Sequence, residues 1–113
     1  LLLDLGPRDD SSVDYPDYAK KLAKNIISKK SDIGILVCAS GTGMAMSANK
    51  FKKIRAAVCY NVKSTKLSRS HNNANIIAIG SRLTNKNLAF KLVMIFLKTK
   101  FDGGRHKRRT NKI

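Results

Sequence analysis

Three short apolar runs, separated by segments with helical periodicity, are the feature that most constrains how this chain can fold. The runs are Ile33–Cys38, Arg55–Cys59 and Ile76–Ile79, and each is almost continuously apolar instead of alternating with polar residues. Strands buried on both faces have this composition, because helices cover both sides of a parallel sheet. The pattern therefore predicts an α/β fold built on a parallel sheet. A fourth apolar run, Leu1–Leu5, is a further strand candidate.

Two longer segments have the periodicity of amphipathic helices. In residues 17–30 (DYAKKLAKNIISKK) and 85–100 (NKNLAFKLVMIFLKTK), apolar residues recur every three or four positions. Thr84 or Asn85 can cap the second of these helices. The predicted buried positions are Tyr18, Ala19, Leu22, Ala23, Ile26 and Ile27 in the first helix and Leu88, Ala89, Leu92, Val93 and Phe96 in the second. The shorter predicted helices are Gly43–Lys52 and Lys63–Asn72, and the three methionines, Met44, Met46 and Met94, are interpreted as core filler.

The chain has the length of one domain, and a hydrophobic fraction of 42% suffices for a single core. We expect residues 1–113 to form one domain, with an α/β core over 1–101 and a basic tail over 102–113. The first residue is not Met, and Leu1–Leu5 resembles a strand from the middle of a fold, so we expect a further strand and helix upstream. No apolar run has the roughly 18 residues of a membrane span, and no signal-peptide pattern is present. The default expectation is a cytoplasmic protein.

The net charge of +16 raises the question of a polyanionic partner. Lysine accounts for 16 of the 23 cations, however, and most of these lysines are scattered singly along predicted helices. Bidentate recognition of phosphates or bases favours arginine instead. The distribution is typical of a solvated surface, and nucleic-acid binding is not favoured.

The acidic and cysteine residues exclude several classes of site. All seven acidic residues are Asp, and none lies between Asp32 and Asp102. A magnesium site held by carboxylates and a glycosidase with paired carboxylates are therefore disfavoured. The two cysteines, Cys38 and Cys59, are 21 residues apart without a CxxC pair, which predicts reduced thiols and no zinc site. Cys59 is interpreted as a packing residue.

The loop after the run Ile33–Cys38 reads CASGTGMAMSANK and is the strongest candidate for a site. It lacks the GxxxxGK[ST] spacing of a Walker loop, and Met46 stands where a dinucleotide fingerprint has its third glycine. Gly41 and Gly43 instead allow backbone amides to approach a small anion. Cys38 lies just before the helix, where a thiolate is favoured as a base or nucleophile. Spacing alone leaves a small-anion site and a plain turn as alternatives.

Six motifs in the same order resemble ribose-5-phosphate isomerase B and the related galactose-6-phosphate isomerase subunits. They cover nearly the whole chain, and their order makes the resemblance far more specific than the glycine loop alone. The motifs are DYPDYA, ILVCASGTGMAMSANK, IRAAVC, SRSHNNAN, IIAIGSR and FDGGRHKRR.

The resemblance implies a three-layer α/β/α Rossmann-like subunit, here truncated at its N-terminus, that forms a homodimer or a dimer of dimers. It implies a metal-free and cofactor-free interconversion of an aldose phosphate and its ketose, with ribose 5-phosphate and ribulose 5-phosphate favoured over hexose 6-phosphates. Cys38 matches the base that moves a proton through a cis-enediolate. Ser40 keeps a hydroxyl for positioning or ring opening, although the family usually has Cys-Gly-Thr-Gly where this chain has Cys38-Ala39-Ser40-Gly41.

The resemblance also assigns substrate-binding residues. The backbone amides from Ala39 to Gly43 are expected to stabilise the enediolate oxygen. By the same resemblance, His71 assists opening of the sugar ring and Asn72 binds hydroxyls, and both reach the site of a neighbouring subunit. The remaining assignments are Tyr15 and Arg82 at the substrate, Arg105 and Arg109 at the phosphate, and, less directly, His106.

One departure from the family limits these expectations. The family has an Asp-His pair after its first strand, and no residues before Leu1 are present to supply it. We therefore expect either a fragment of an active isomerase or a truncated form that is inactive and less stable. Two alternatives to an isomerase also remain open: a noncatalytic module that binds polyanions through its basic surface, or a structural subunit paired with an active partner.

Overall fold

The computed structural model describes residues 2–113. Helices and strands alternate from the first helix to the fourth, as the sequence predicts, and a short fifth helix follows. In chain order the elements are α1 (Tyr15–Ile27), β1 (Gly34–Cys38), α2 (Thr42–Ala48), β2 (Ala56–Val58), α3 (Val62–Ser70), β3 (Ile76–Gly80), α4 (Lys86–Lys98) and α5 (Arg105–Thr110).

The three strands form one parallel sheet in the order β1-β3-β2. Gly34 pairs with Ile76 at the amino ends of β1 and β3, and Cys38 pairs with Gly80 at their carboxyl ends. Because the last strand in sequence lies in the centre, the loops after β1 and β3 leave the sheet side by side. Ligands of open α/β sheets bind at such carboxyl ends.

Helices lie on both faces of the sheet, which confirms the predicted α/β/α layers. The prediction that the strand in Ile33–Cys38 is buried on both faces is wrong, however, because β1 is covered on one face only and Ile35 and Val37 are exposed by 39% and 55%. Helices α1 and α2 pack against one face, where Ile76 and Ala78 of β3 are buried. Residues from α3 and α4 pack against the other face, where Ile77 and Ile79 are buried. All five residues of β3 are buried, and this explains its uninterrupted apolar sequence.

The strand predicted at Leu1–Leu5 is wrong for residues 2–5, and Leu1 lies outside the described residues. The two strand pairings of the structure join only β1, β3 and β2. Without a hydrogen-bonding neighbour the segment does not form a strand, and Leu2 and Leu3 are exposed by 84% and 56%. Leu5 alone packs against the core.

The helix predictions are confirmed in position, with differences at their ends. The Asn85 side chain accepts a hydrogen bond from the Leu88 amide and caps α4, as predicted. Ile27 was predicted to be buried in the apolar stripe of α1, but it is exposed because the helix ends at this residue. Met44 is buried, but Met46 and Met94 are exposed, so the interpretation of all three methionines as core filler is wrong.

Part of the basic tail is ordered as the short helix α5. It follows Gly103 and Gly104, whose φ angles of 70° and 54° turn the chain away from α4. Within residues 2–113, no helix has both the length and the apolar character required to cross a membrane.

Candidate active site

The loop after β1 is fixed in place by close backbone packing against the end of β3. The Ser81 amide donates to the Cys38 carbonyl at 2.8 Å, and the Arg82 amide donates to the Ala39 carbonyl at 3.1 Å. A Cβ atom on Gly80 would lie 2.7 Å from the Ser40 carbonyl carbon and oxygen, so only glycine fits this approach. The two loops therefore form one rigid unit at the carboxyl edge of the sheet.

Cys38 lies at the end of β1 with its sulfur inside this loop. The Gly41 amide donates to Cys38 Sγ at 3.1 Å, a contact permitted by the left-handed φ of 81° at Gly41. This bond fixes the sulfur at the carboxyl end of β1, beside the start of α2. The Cys38 thiol is free and partly exposed, whereas the free thiol of Cys59 is fully buried.

Tyr15 and Ser40 line the start of α2. A Cβ atom on Gly43 would lie 2.6 Å from the Tyr15 ring, so the tyrosine packs directly over the first turn of α2. The Thr42 amide donates to Ser40 Oγ at 3.2 Å. The structure thus brings eight predicted site residues together in what we call the carboxyl-edge cluster: Tyr15, Cys38, Ala39, Ser40, Gly41, Thr42, Gly43 and Arg82.

Two of the amides predicted to stabilise an enediolate already donate within the loop. Gly41 N–H is directed at Cys38 Sγ and Thr42 N–H at Ser40 Oγ. Neither bond is visible in the sequence, because each depends on how the loop closes on itself. The amides of Ala39, Ser40 and Gly43 have no partner among the protein hydrogen bonds of the described residues.

The other predicted residues lie at the opposite edge of the sheet. His71 follows α3, five residues before β3 begins, and Asn75 in the same segment donates to the Arg55 carbonyl just before β2. The His71 and His106 rings stack with centroids 4.1 Å apart and planes at 10°. The residues that gather here, the amino-edge cluster, are His71, Asn72, Asp102, Arg105, His106 and Arg109.

Helix α5 is attached to the body of the protein by few bonds. The Asp102 amide donates to the Ser70 carbonyl at 3.0 Å, and the His106 ring of α5 stacks on the His71 ring. Arg69 fastens the segment before α5, because its Nε donates to the Thr99 carbonyl at 3.2 Å while its guanidinium lies over the Phe96 ring. The sequence analysis did not identify Arg69. Its only signal in the sequence is a basic residue in the last turn of α3.

Charges around His106 favour its neutral form. Desolvation lowers the pKa of His106 below its ordinary value, and nearby His71, Arg105 and Arg109 lower it further, while Asp102 opposes them. Burial similarly lowers the pKa of Arg69, with the charge of Arg55 contributing. The amino-edge cluster is thus rich in positive charge.

Within one chain the two clusters do not meet. β3 runs from the amino edge at Ile76 to the carboxyl edge at Gly80, a rise of about 13 Å. Cys38 pairs with the last residue of β3, and His71 precedes the first. A site that uses both residues therefore requires a second copy of the chain.

Known proteins resemble this chain over nearly its whole length. A family model described as Ribose/Galactose Isomerase matches residues 2–113. A putative sugar phosphate isomerase of Rickettsia bellii is 46% identical over 110 residues, which are 97% of this chain and 76% of that protein.

Solved structures agree with the sequence matches. Ribose-5-phosphate isomerase B of Clostridium thermocellum has a TM-score of 0.96 and 44% identity, covering 97% of this chain and 74% of that one. The Mycoplasma genitalium enzyme, solved with bound ribulose-5-phosphate, has a TM-score of 0.92 and 42% identity at the same coverage. Together with the sheet order and the thiol-bearing loop, these matches show that the chain belongs to the ribose/galactose isomerase family of sugar-phosphate isomerases.

Proposed function

We propose that the protein interconverts ribose 5-phosphate and ribulose 5-phosphate, with Cys38 as the base. The observation that carries the proposal is the Gly41 amide directed at Cys38 Sγ at 3.1 Å, at the carboxyl end of β1. Membership of the family and the ribulose-5-phosphate bound to the Mycoplasma genitalium relative support the substrate class. The reaction belongs to pentose phosphate metabolism, and a cytoplasmic location is part of the proposal.

The proposed chemistry moves one proton between neighbouring carbons of the open-chain sugar. The Cys38 thiolate removes the proton from the carbon beside the carbonyl, and the electron pair moves onto the carbonyl oxygen to give a cis-enediolate. The resulting thiol, which exchanges its proton with solvent, protonates the former carbonyl carbon. The hydroxyl proton on the other carbon passes to the former carbonyl oxygen as the new C=O bond forms, and this completes the aldose–ketose exchange. Amides of Ala39, Ser40 and Gly43, which have no partner among the protein hydrogen bonds of residues 2–113, stabilise the enediolate oxygen in this proposal.

The proposed site is completed by the amino-edge cluster of a second copy. His71 assists opening of the sugar ring, and Asn72 binds substrate hydroxyls. Arg105 and Arg109 are four residues apart on α5, so both reach one face of that helix and can bind a phosphate dianion through paired donors. The separation of Cys38 from His71 within one chain supports a homodimer with shared sites.

Galactose 6-phosphate is the second candidate substrate, because the family description names both sugars. The proposal is tested by incubating the purified chain with each sugar phosphate in D₂O and following the products by NMR. We expect turnover of ribose 5-phosphate to exceed that of galactose 6-phosphate, with solvent deuterium at the carbon that receives the proton. The Cys59→Ala variant is the matched control for Cys38→Ala. Exchange that survives Cys38→Ala would exclude the proposed base, and preference for the hexose would exclude the pentose assignment.

A further inference from the structure

Three metal-ligating side chains from two distant segments come together at the amino edge. His71 ends α3, whereas Asp102 and His106 lie on either side of the two glycines that precede α5. One ligand atom from each residue lies within 4.8 Å of the other two. This grouping is a tertiary contact, so it is not a by-product of neighbouring positions in the sequence.

We propose that His71, Asp102 and His106 bind Zn²⁺, and that the bound ion inhibits the protein. Two imidazole nitrogens and one carboxylate oxygen form a common ligand set for Zn²⁺, which completes four-coordination with water. Mg²⁺ and Ca²⁺ prefer sites made only of oxygen atoms, and they do not fit this set. The ion takes no part in the isomerisation itself.

A backbone hydrogen bond links the two segments that carry these three residues. The Asp102 amide donates to the carbonyl of Ser70, the residue before His71, at 3.0 Å. The imidazoles are stacked with planes at 10°, so their lone pairs point side by side and do not converge. Tetrahedral coordination at Zn–N distances of about 2.0–2.1 Å brings ligand atoms to about 3.3 Å from one another. Coordination therefore requires one of the partly exposed imidazoles to leave the stack and turn towards the other two ligand atoms.

The surrounding charges set the strength of binding. Arg105 and Arg109 repel a dication, while the Asp102 carboxylate attracts it. We expect a dissociation constant in the micromolar range, weaker than that of a structural zinc site.

The inhibitory consequence rests on the proposed function, whereas the binding site does not. A zinc ion on His71 occupies the lone pair that the proposed ring opening requires. Its position beside Arg105 and Arg109 also places it where the phosphate of the substrate is proposed to bind. Zinc and substrate should therefore compete.

The chain contains only two histidines, which makes the binding test direct. The wild-type chain, without substrate, is titrated with Zn²⁺ while the imidazole signals are followed by NMR. We expect both histidines to shift together and to saturate at one ion per chain. The same titration of the Cys38→Ser variant should give an unchanged result. Loss of zinc binding in this variant would show that the ion binds the Cys38 thiol, and it would overturn the proposal.

Asp102→Asn provides the second test, with Asp10→Asn as a control of equal charge change in an exposed segment. We expect the dissociation constant for zinc to rise at least about tenfold in Asp102→Asn and to be unaltered in Asp10→Asn. Equal affinity in the two variants, or only one histidine shifting in the wild type, would refute the site. Zinc binding without isomerase turnover would instead contradict the proposed function and leave the site standing.

Discussion

The carboxyl-edge and amino-edge clusters are built in opposite ways. The first is enclosed by backbone: Gly80 approaches Ser40 so closely that no Cβ fits, and an amide holds the Cys38 sulfur. The second depends on one backbone bond from Asp102 and a stack of two partly exposed histidines. Proton transfer at carbon requires a base held within a fraction of an ångström, whereas binding a phosphate tolerates a movable helix. The closely packed carboxyl edge therefore suits the proposed proton transfer at Cys38, and the amino edge suits the proposed ring opening and phosphate binding.

The largest expected effect comes from removing the base in the rigid cluster. Cys38→Ala should lower kcat by about 10²–10⁴-fold, the usual contribution of a general base. Cys59→Ala, which removes the buried thiol, should change kcat by far less. The measurement is steady-state turnover of ribose 5-phosphate, and comparable losses in the two variants would contradict a special role for Cys38.

A substitution at Gly80 tests the rigidity of the carboxyl edge. The new methyl group of Gly80→Ala would meet the Ser40 backbone at 2.7 Å, and backbone cannot move aside cheaply. We expect the free energy of unfolding to fall by about 1–3 kcal/mol. His106→Ala in the amino-edge cluster should cost only about 0.5 kcal/mol. Urea unfolding compares the two, and a larger loss at His106 would reverse the contrast between the clusters.

The two thiols should differ in reactivity by more than about tenfold, because the thiolate is the reactive form and must be accessible. Cys38 accepts an amide hydrogen bond and is partly exposed. Burial raises the pKa of Cys59, and its side chain has no exposed surface. Alkylation with iodoacetamide, followed by peptide mass spectrometry, measures both rates in one sample. Preferential labelling of Cys59 would contradict the contrast between a partly exposed and a buried thiol.

The smallest effect concerns the pH dependence of the amino edge. The pKa of His106 in the folded chain lies below its ordinary value of 6.5, so the unfolded chain takes up this proton first as the pH falls. Between the two pKa values the unfolded state binds more protons, and stability therefore decreases as the pH drops from neutral through this window. NMR titration of the two histidines, with unfolding curves at pH 7 and pH 5, measures the effect. His106→Ala should remove part of this dependence, and an unchanged dependence would argue against it.

The sequence predicted those parts of the structure that local patterns determine. The apolar run of β3 predicted a strand buried on both faces, and Asn85 predicted the start of α4. The strand predicted at Leu1–Leu5 does not form over residues 2–5, because strand formation depends on a neighbour that no local pattern reveals. The interpretation of Met46 as core filler was wrong for a related reason, because a methionine in a helix fits either a core or an exposed face.

The same distinction between local patterns and tertiary packing applies to the candidate site. The loop from Cys38 to Gly43 is contiguous, so motif and spacing located it directly. The position of His71 relative to Cys38 depends on strand direction and sheet order, which only the structure supplies. The Gly41 amide bond to sulfur and the stacking of His71 on His106 likewise arise from tertiary packing.

We propose that Cys38 of one chain and His71 of a second chain act on the same substrate. Cys38→Ala and His71→Ala, each nearly inactive alone, are mixed in equal amounts under conditions that allow subunits to exchange. Half of the dimers are then mixed, and each mixed dimer has one intact site, so turnover should recover to about a quarter of the wild-type value. Differently tagged variants confirm the exchange by co-purification. Mixed dimers that stay as inactive as the separate variants, or a chain that turns over substrate as a monomer, would contradict the shared site.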